Sequence, residues 1–235
     1  MNPQPGDIAK IRSGTLLWIL YVFLGTGCET YPHLIDRAPL VDIKQLEPGI
    51  QLDIRYATPN NFTGRPLYPQ ALALLLPEPA KALSKAHKAL KEKGYGIVVY
   101  DAYRPWRVTR DLWESATDAD RANGFVADPA IGSRHNRGCA VDAGLYDLAN
   151  GREVAMPSAF DEFTVRAQAD WTGGPIGPRR SRDALRQAME AEGFKVLTNE
   201  WWHFNYGDCD QQPVLDIWFD RIPIRDSSLI QKNGP

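Results

Sequence analysis

Cysteine is scarce in this 235-residue sequence: there are three, with no Cys-x-x-Cys pair. That excludes a disulfide framework and a thiolate-rich metal site. Histidine is nearly as rare, at four residues, so any metal must lean on a few imidazoles together with carboxylates. Neither sign of charge dominates. Lys and Arg total 27 against 29 Asp and Glu, a net charge of −2 and a pI near 6.1. The broad basic face of a nucleic-acid binder is missing, and no nucleic-acid partner is expected. No apolar run reaches the roughly 20 residues of a bilayer span, and no segment repeats. What is present is ordinary for a globular chain, 43% hydrophobic and 24% charged, which rules out disorder throughout. The length suits one domain with short tails.

The N-terminus reads as an address. Lys10 and Arg12 precede nine apolar or aromatic residues at 16–24, followed by Gly25-Thr26-Gly27-Cys28. A basic start, a short apolar core and small residues before a break describe a secretory signal. Small residues directly before a cysteine resemble a bacterial lipoprotein cleavage site with Cys28 as the acylated residue, although Gly25 stands where that pattern has Leu. The alternatives are a plain signal peptide, with Cys28 incidental, and an uncleaved anchor. All three place the remainder outside the cytoplasm: exported and periplasmic, with the membrane touched only through an N-terminal lipid anchor. The expected division is a signal segment at 1–28, a linker at 29–45, a domain at 46–222 and a flexible tail at 223–235.

Within the domain, residues 52–56 alternate apolar and polar as a half-buried strand does. Asn, Gly and Pro at 60–69 mark a loop. Glu78 and Pro79 open a helix whose stripe is Leu83, Ala86 and Leu90, and Gly94 ends it. Residues 97–100 form a buried strand, and a second helix follows Pro105 through Leu112 and Trp113. Residues 140–146 form another strand, with a turn at 147–151. Residues 157–180 are rich in Gly, Pro and Arg without a period, and read as a long irregular loop. Ala184, Leu185, Ala188 and Met189 stripe a helix closed by Gly193, and residues 199–206 form an aromatic strand. Helices and strands alternate without a βαβ repeat, so the expected class is α+β.

Two histidines sit in dense polar contexts: Ser133-Arg134-His135-Asn136-Arg137-Gly138-Cys139-Ala140-Val141-Asp142 and Glu200-Trp201-Trp202-His203. Zinc favours imidazole nitrogen and carboxylate oxygen, and a catalytic site keeps three protein ligands with one position left for water. His135, Asp142 and His203 supply such a set. Glu200, three residues before His203, is a candidate general base and then general acid. Residues three apart on an ideal strand face opposite ways, so Glu200 must stand at the strand's start or at a bulge to share the site. Arg104, at a strand end before Pro105, is a candidate cation for a developing oxyanion. Each has a plainer reading: solvated histidines, a surface ion pair for Arg104, core packing for the two tryptophans. His33 and His87 are read as solvated.

The set Ser133-x-His135-x-x-Gly138-x-Ala140-x-Asp142, followed by Glu200-x-x-His203, resembles the paired motif of the zinc D-Ala-D-Ala dipeptidases, the VanX-like family of peptidases. Tyr56-Ala57-Thr58, Asn61-Phe62-Thr63-Gly64, Gly94-Tyr95-Gly96, Asp101-x-Tyr103-Arg104-Pro105 and Gly193-Phe194 extend the resemblance from about residue 52 to 206. It implies one zinc ion per chain on His135, Asp142 and His203, with Glu200 as catalytic base and Arg104 as oxyanion stabiliser. It also implies Ser133 as a substrate contact and a small D-amino-acid dipeptide as substrate. The implied fold is the small α+β domain shared with zinc D,D-carboxypeptidases and the hedgehog signalling domain, a mainly antiparallel sheet with flanking helices. If both motifs converge on one zinc, Cys139 and Cys209 come close enough to bond, which an oxidising compartment permits.

One departure concerns place. The vancomycin-resistance members act in the cytoplasm on newly made dipeptide, whereas this chain reads as exported. Salvage or trimming of wall-derived dipeptide fits better than precursor destruction. Two other functions compete: a zinc carboxypeptidase or endopeptidase acting on longer wall peptides, and a lipoprotein that binds peptidoglycan without catalysis. The joint presence of Glu200 and Arg104 favours catalysis. Oligomeric state is not legible in the sequence.

Overall fold

In a computed structural model of the chain, residues 32–222 are described. The apolar run at 16–24, Cys28 and the tail from 223 lie outside them. In chain order the elements are β1 (Leu34–Ile35), β2 (Val41–Asp42), α1 (Ile43–Leu46), β3 (Gln51–Leu52), β4 (Leu74–Leu75), α2 (Pro77–Lys91), β5 (Tyr95–Asp101), α3 (Trp106–Ser115), α4 (Asp118–Ala122), β6 (Ala140–Asp147), α5 (Ile176–Ala191), β7 (Phe194–Leu197), β8 (Glu200–Tyr206) and β9 (Val214–Leu215). The main sheet has five strands in the order β3-β5-β6-β8-β7, parallel at β3–β5 and antiparallel elsewhere. Helices α2 and α5 pack on each other and on this sheet. The class is α+β in one domain, as the sequence implies.

The helix stripes fall where the periodicity puts them. Leu83, Ala86 and Leu90 on α2, and Leu185 and Met189 on α5, are all fully buried. Gly94 and Gly193 follow these helices with positive φ, 84° and 92°, a conformation that favours glycine. Opposite Gly96 on β5 stands Tyr146 of β6, whose ring occupies the space a Cβ at Gly96 would need. The Tyr146 hydroxyl donates to the Gly49 carbonyl at 2.7 Å, which ties the sheet to the turn before β3.

Three expectations need correction. The strand at 52–56 is cut to Gln51–Leu52, because the chain curls into a 3₁₀ turn at Arg55–Ala57. There the Tyr56 carbonyl accepts from the N–H groups of Leu67 and Tyr68, which takes it out of the sheet. The part of the linker at 29–45 that is described is packed: β1 pairs with β9, β2 pairs with β4, and Leu40, Val41 and Ile43 are buried. Prolines and the lack of a period hid these two-residue strands. The irregular stretch at 157–180 ends earlier, because α5 starts at Ile176 after Pro175.

His87 is the fourth correction. It is buried, not solvated, and its Nδ1 accepts the Ile97 N–H at 3.1 Å. With Leu83 and Leu90 it stands at the i, i+4, i+7 positions of the buried stripe, a spacing that outweighs the flanking Lys85 and Lys88. Burial lowers its pKa; Glu47 opposes this, while Lys91, Lys88 and Lys44 add to it. The fold therefore holds the neutral ring. As pH falls through the ordinary histidine value of about 6.5, the unfolded chain takes up the proton first. Stability present above that pH is lost below it. His87→Leu should remove this part of the pH dependence and cost about 1–3 kcal/mol at neutral pH, since the Ile97 N–H loses its acceptor. Urea midpoints at about pH 7.5 and about pH 5.5 test it; equal pH slopes in the two proteins would show that His87 contributes none.

Candidate metal centre and active-site cavity

The centre is built by strand register. On β6 and β8, Asp142 and His203 are directly opposed, so their side chains share one side of the sheet. On β5, a register irregularity between Val99 and Asp101 sets Asp101 opposite Asp142. Asp101, Asp142 and His203 thus form a row across three adjacent strands. His135 arrives from the 3₁₀ turn His135–Arg137, which feeds β6 through Gly138 at φ 68°. A Cβ at Gly138 would also press on Leu40 and Leu76.

Outer hydrogen bonds fix both imidazoles. His135 Nδ1 donates to the Ala102 carbonyl at 2.7 Å, and His203 Nε2 donates to Asn205 Oδ1 at 2.9 Å. With those protons committed outward, His135 Nε2 and His203 Nδ1 turn lone pairs inward, 3.0 Å apart. They lie 3.3 and 3.1 Å from Asp142 Oδ1. That oxygen is buried with no hydrogen-bond partner. Two lone pairs and a carboxylate oxygen facing one another are unfavourable without a cation between them. The three donor atoms lie within 4.8 Å of one another, the one group among the described residues that could hold a metal ion. The donor set and the orphaned oxygen fit a divalent metal, with outer partners of the kind that orient such ligands.

Glu200 begins β8, where pairing with β7 jumps from Val196–Phe204 to Leu197–Glu200. This irregularity breaks strand alternation and brings Glu200 to the same site, with Oε2 3.8 Å from His203 Nδ1. Burial raises its pKa to about 8; Asp142 and Asp161 add to this, and His203 and Arg104 oppose it. Arg104 is buried, and its Nε and Nη2 donate to Asp101 Oδ2 at 3.0 and 2.7 Å. Asp101 Oδ1 in turn accepts from the Tyr68 hydroxyl at 2.7 Å and the Ala102 N–H at 2.9 Å. Arg104 is therefore a fixed cation and not a surface ion pair. Ser133 is buried, and its Oγ accepts the His135 N–H at 3.2 Å.

One cavity of about 500 Å³ is lined by Ser133, His135, Asp142, Glu200, His203 and Arg104, a size that suits a small ligand. Every residue singled out for catalysis, metal or substrate in the domain meets there. Trp202 also lines it, while Trp201 is core and donates from its indole N–H to Ser158 Oγ at 2.9 Å. Cys139 and Cys209 are disulfide-bonded, with Cα atoms 5.7 Å apart, which ties the loop between His135 and Asp142 to the segment after His203. An Arg134–Asp210 ion pair at 3.0 Å fastens the same two segments.

Two contributors carry no role from the sequence. Asp161, in the irregular loop, lines the cavity and accepts from the buried Tyr56 hydroxyl at 3.3 and 3.2 Å. Burial raises its pKa to about 7; Asp142 adds to this, and Arg104 and Tyr56 oppose it. Asn205 was legible in principle, because strand position i+2 shares the face of His203. Nothing local marks Asp161.

A buried two-histidine, one-aspartate centre beside a glutamate and a fixed guanidinium defines a metallohydrolase type of site. The peptidase M15 family model, described as D-Ala-D-Ala dipeptidase, matches residues 36–222, and the chain belongs to this family of peptidases. It is 34% identical over 180 residues to the D-alanyl-D-alanine dipeptidase of Escherichia coli (strain K12), covering 77% of this chain and 91% of that one. It is 30% identical over 202 residues to the D-alanyl-D-alanine dipeptidase of Enterococcus faecium, covering 78% and 96%. The solved LD-carboxypeptidase LdcB aligns over 85% of this chain and 75% of its own at 17% identity, with a TM-score of 0.45.

The outer hydrogen bond to His203 gives a direct test. Asn205→Ala should weaken divalent-metal binding about 10–100-fold in competition with a chelator, with the circular dichroism spectrum unchanged. Unaltered affinity would remove Asn205 from the site.

Proposed function

We propose that the chain hydrolyses the D-alanyl-D-alanine dipeptide to two D-Ala, with zinc held by His135, Asp142 and His203. The observation that carries this reading is the convergence of Glu200, Arg104 and the three donor atoms on one cavity. Zinc, when bound, supplies a Lewis acid and an activated water. Glu200 takes a proton from the attacking water and passes it to the leaving amine nitrogen, and burial readies its carboxyl for that exchange. Arg104, immobilised by Asp101, faces the oxygen on which negative charge develops. Ser133 contacts the bound dipeptide.

Asp161 favours a dipeptidase over an enzyme for longer peptides. A carboxylate in the cavity, held by the Tyr56 hydroxyl, is a partner for the free ammonium that only an unblocked substrate carries. We further place the enzyme outside the cytoplasm as a lipid-anchored periplasmic protein, on the strength of the apolar run at 16–24 and Cys28. There it would salvage dipeptide released from the wall.

The experiment is release of free D-Ala from D-Ala-D-Ala by zinc-loaded protein, with N-acetyl-D-Ala-D-Ala in parallel. Only the free dipeptide should turn over. Comparable turnover of the blocked compound would move the enzyme to the carboxypeptidase reading. Glu200→Ala should keep its zinc and lose about 10²–10⁴-fold in rate. Loss of zinc and rate together would make Glu200 structural.

A further inference from the structure

Three loops that border the cavity each send one phenylalanine to a common stack. Phe62 comes from the loop after Tyr56, Phe125 from the loop after α4, and Phe163 from the loop that carries Asp161. Phe163 and Phe125 stack with centroids 4.7 Å apart and planes 16° apart. Phe163 meets Phe62 at 5.5 Å. Phe62 and Phe125 line the cavity, and Phe163 packs against both. It is therefore the ring that joins the three loops.

Phe163 follows Asp161 by two residues, and Asp161 lines the same cavity as Phe62 and Phe125. Asp161 has φ 58°, the one positive value among described residues other than glycine, a conformation that persists only where its surroundings impose it. Phe160 anchors it on one side, against Trp202 at 5.4 Å and Tyr100 at 5.0 Å. Phe163 anchors it on the other. A group attached to a substrate nitrogen at Asp161 enters the cavity that Phe62 and Phe125 border.

We infer that the Phe62–Phe163–Phe125 stack is a wall closing the amine end of the substrate site, with Phe163 as the residue that sets specificity for an unblocked dipeptide. This rests on the dipeptidase reading and deepens it. Rejection of acylated or longer peptides then has two separable parts: loss of the ammonium partner at Asp161 and collision with the wall. Phe163 touches neither the metal ligands nor Glu200 in any hydrogen bond or ring contact, so its removal acts on shape.

The test compares kcat/KM for D-Ala-D-Ala and N-acetyl-D-Ala-D-Ala in zinc-loaded wild type, Phe163→Ala, Phe163→Leu and Asp161→Asn. Phe163→Ala should raise kcat/KM for the acetylated compound about tenfold or more, and Phe163→Leu should raise it less. Asp161→Asn should lower turnover of the free dipeptide without that gain, because the wall stays. A folded Phe163→Ala protein with no gain on the acetylated compound overturns the inference; should that variant fail to fold, Phe163→Leu with no gain does the same. Wild-type turnover of both compounds alike overturns both this inference and the dipeptidase reading. If wild type turns over neither, the dipeptidase reading alone fails, and calorimetry decides the wall. N-acetyl-D-Ala-D-Ala binding about tenfold tighter to Phe163→Ala supports it, and equal affinity overturns it.

Discussion

The row of Asp101, Asp142 and His203 across β5, β6 and β8 is the constraint on which the site depends. Strand side chains alternate, so a slip of one residue between β6 and β8 would turn one ligand away from the other. The register is protected by what lies on the neighbouring positions. Val141, Ala143 and Leu145 are fully buried, as is Phe204 opposite Val141. Apolar burial thus fixes a pairing whose polar members would, on their own, repel. Two irregularities then adjust the row: one brings Asp101 into line, and the other lets Glu200 join a ligand three residues away.

Beside that row the polar groups share one hydrogen-bond network. Asp101 is shared by Arg104, Tyr68 and the Ala102 N–H, and Ala102 lends its carbonyl to His135. The residue that immobilises the cation is thus followed in sequence by the one that orients a ligand. Asn136 extends the same network, donating to the Arg104 carbonyl and to Thr109 Oγ1, each at 2.8 Å. Removing one partner of a buried charged pair leaves the other uncompensated, which costs far more than the pair's net contribution. Such a network tolerates little independent change. The disulfide and the Arg134–Asp210 pair add a second, outer fastening between the two ligand-bearing segments.

How much of this could be read from sequence follows from the range of the interactions. Residues with local signatures were legible: the stripes of α2 and α5, the glycine stops, the strands of β5, β6 and β8, and the histidines standing among polar neighbours. Glu200 was legible with its condition, because strand alternation demanded the bulge that the β7–β8 register contains. The two-residue strands β1, β2 and β9 were not, since so short a run has no period and exists only by pairing with a distant segment. The lysines beside His87 suggest a solvated ring, whereas its spacing with Leu83 and Leu90 places it in the core. Asp161 had no signal at all. Its role comes from Tyr56, 105 residues away, and from aromatic rings on three loops.

The balance of charge links these parts. Asp101 and Arg104 neutralise one another, which leaves Asp142, Asp161 and Glu200 as the cavity's carboxylates that are not solvent-exposed. A divalent cation offsets two of the three negative charges. The remaining one disappears when Glu200 accepts a proton, the act its role as base requires. A free dipeptide is a zwitterion and leaves this balance untouched. An N-blocked peptide brings an uncompensated carboxylate into a cavity where desolvation makes like charges costly. Charge and shape therefore reject the same molecules by different means, the first through Asp161 and the second through the ring two residues further along the chain.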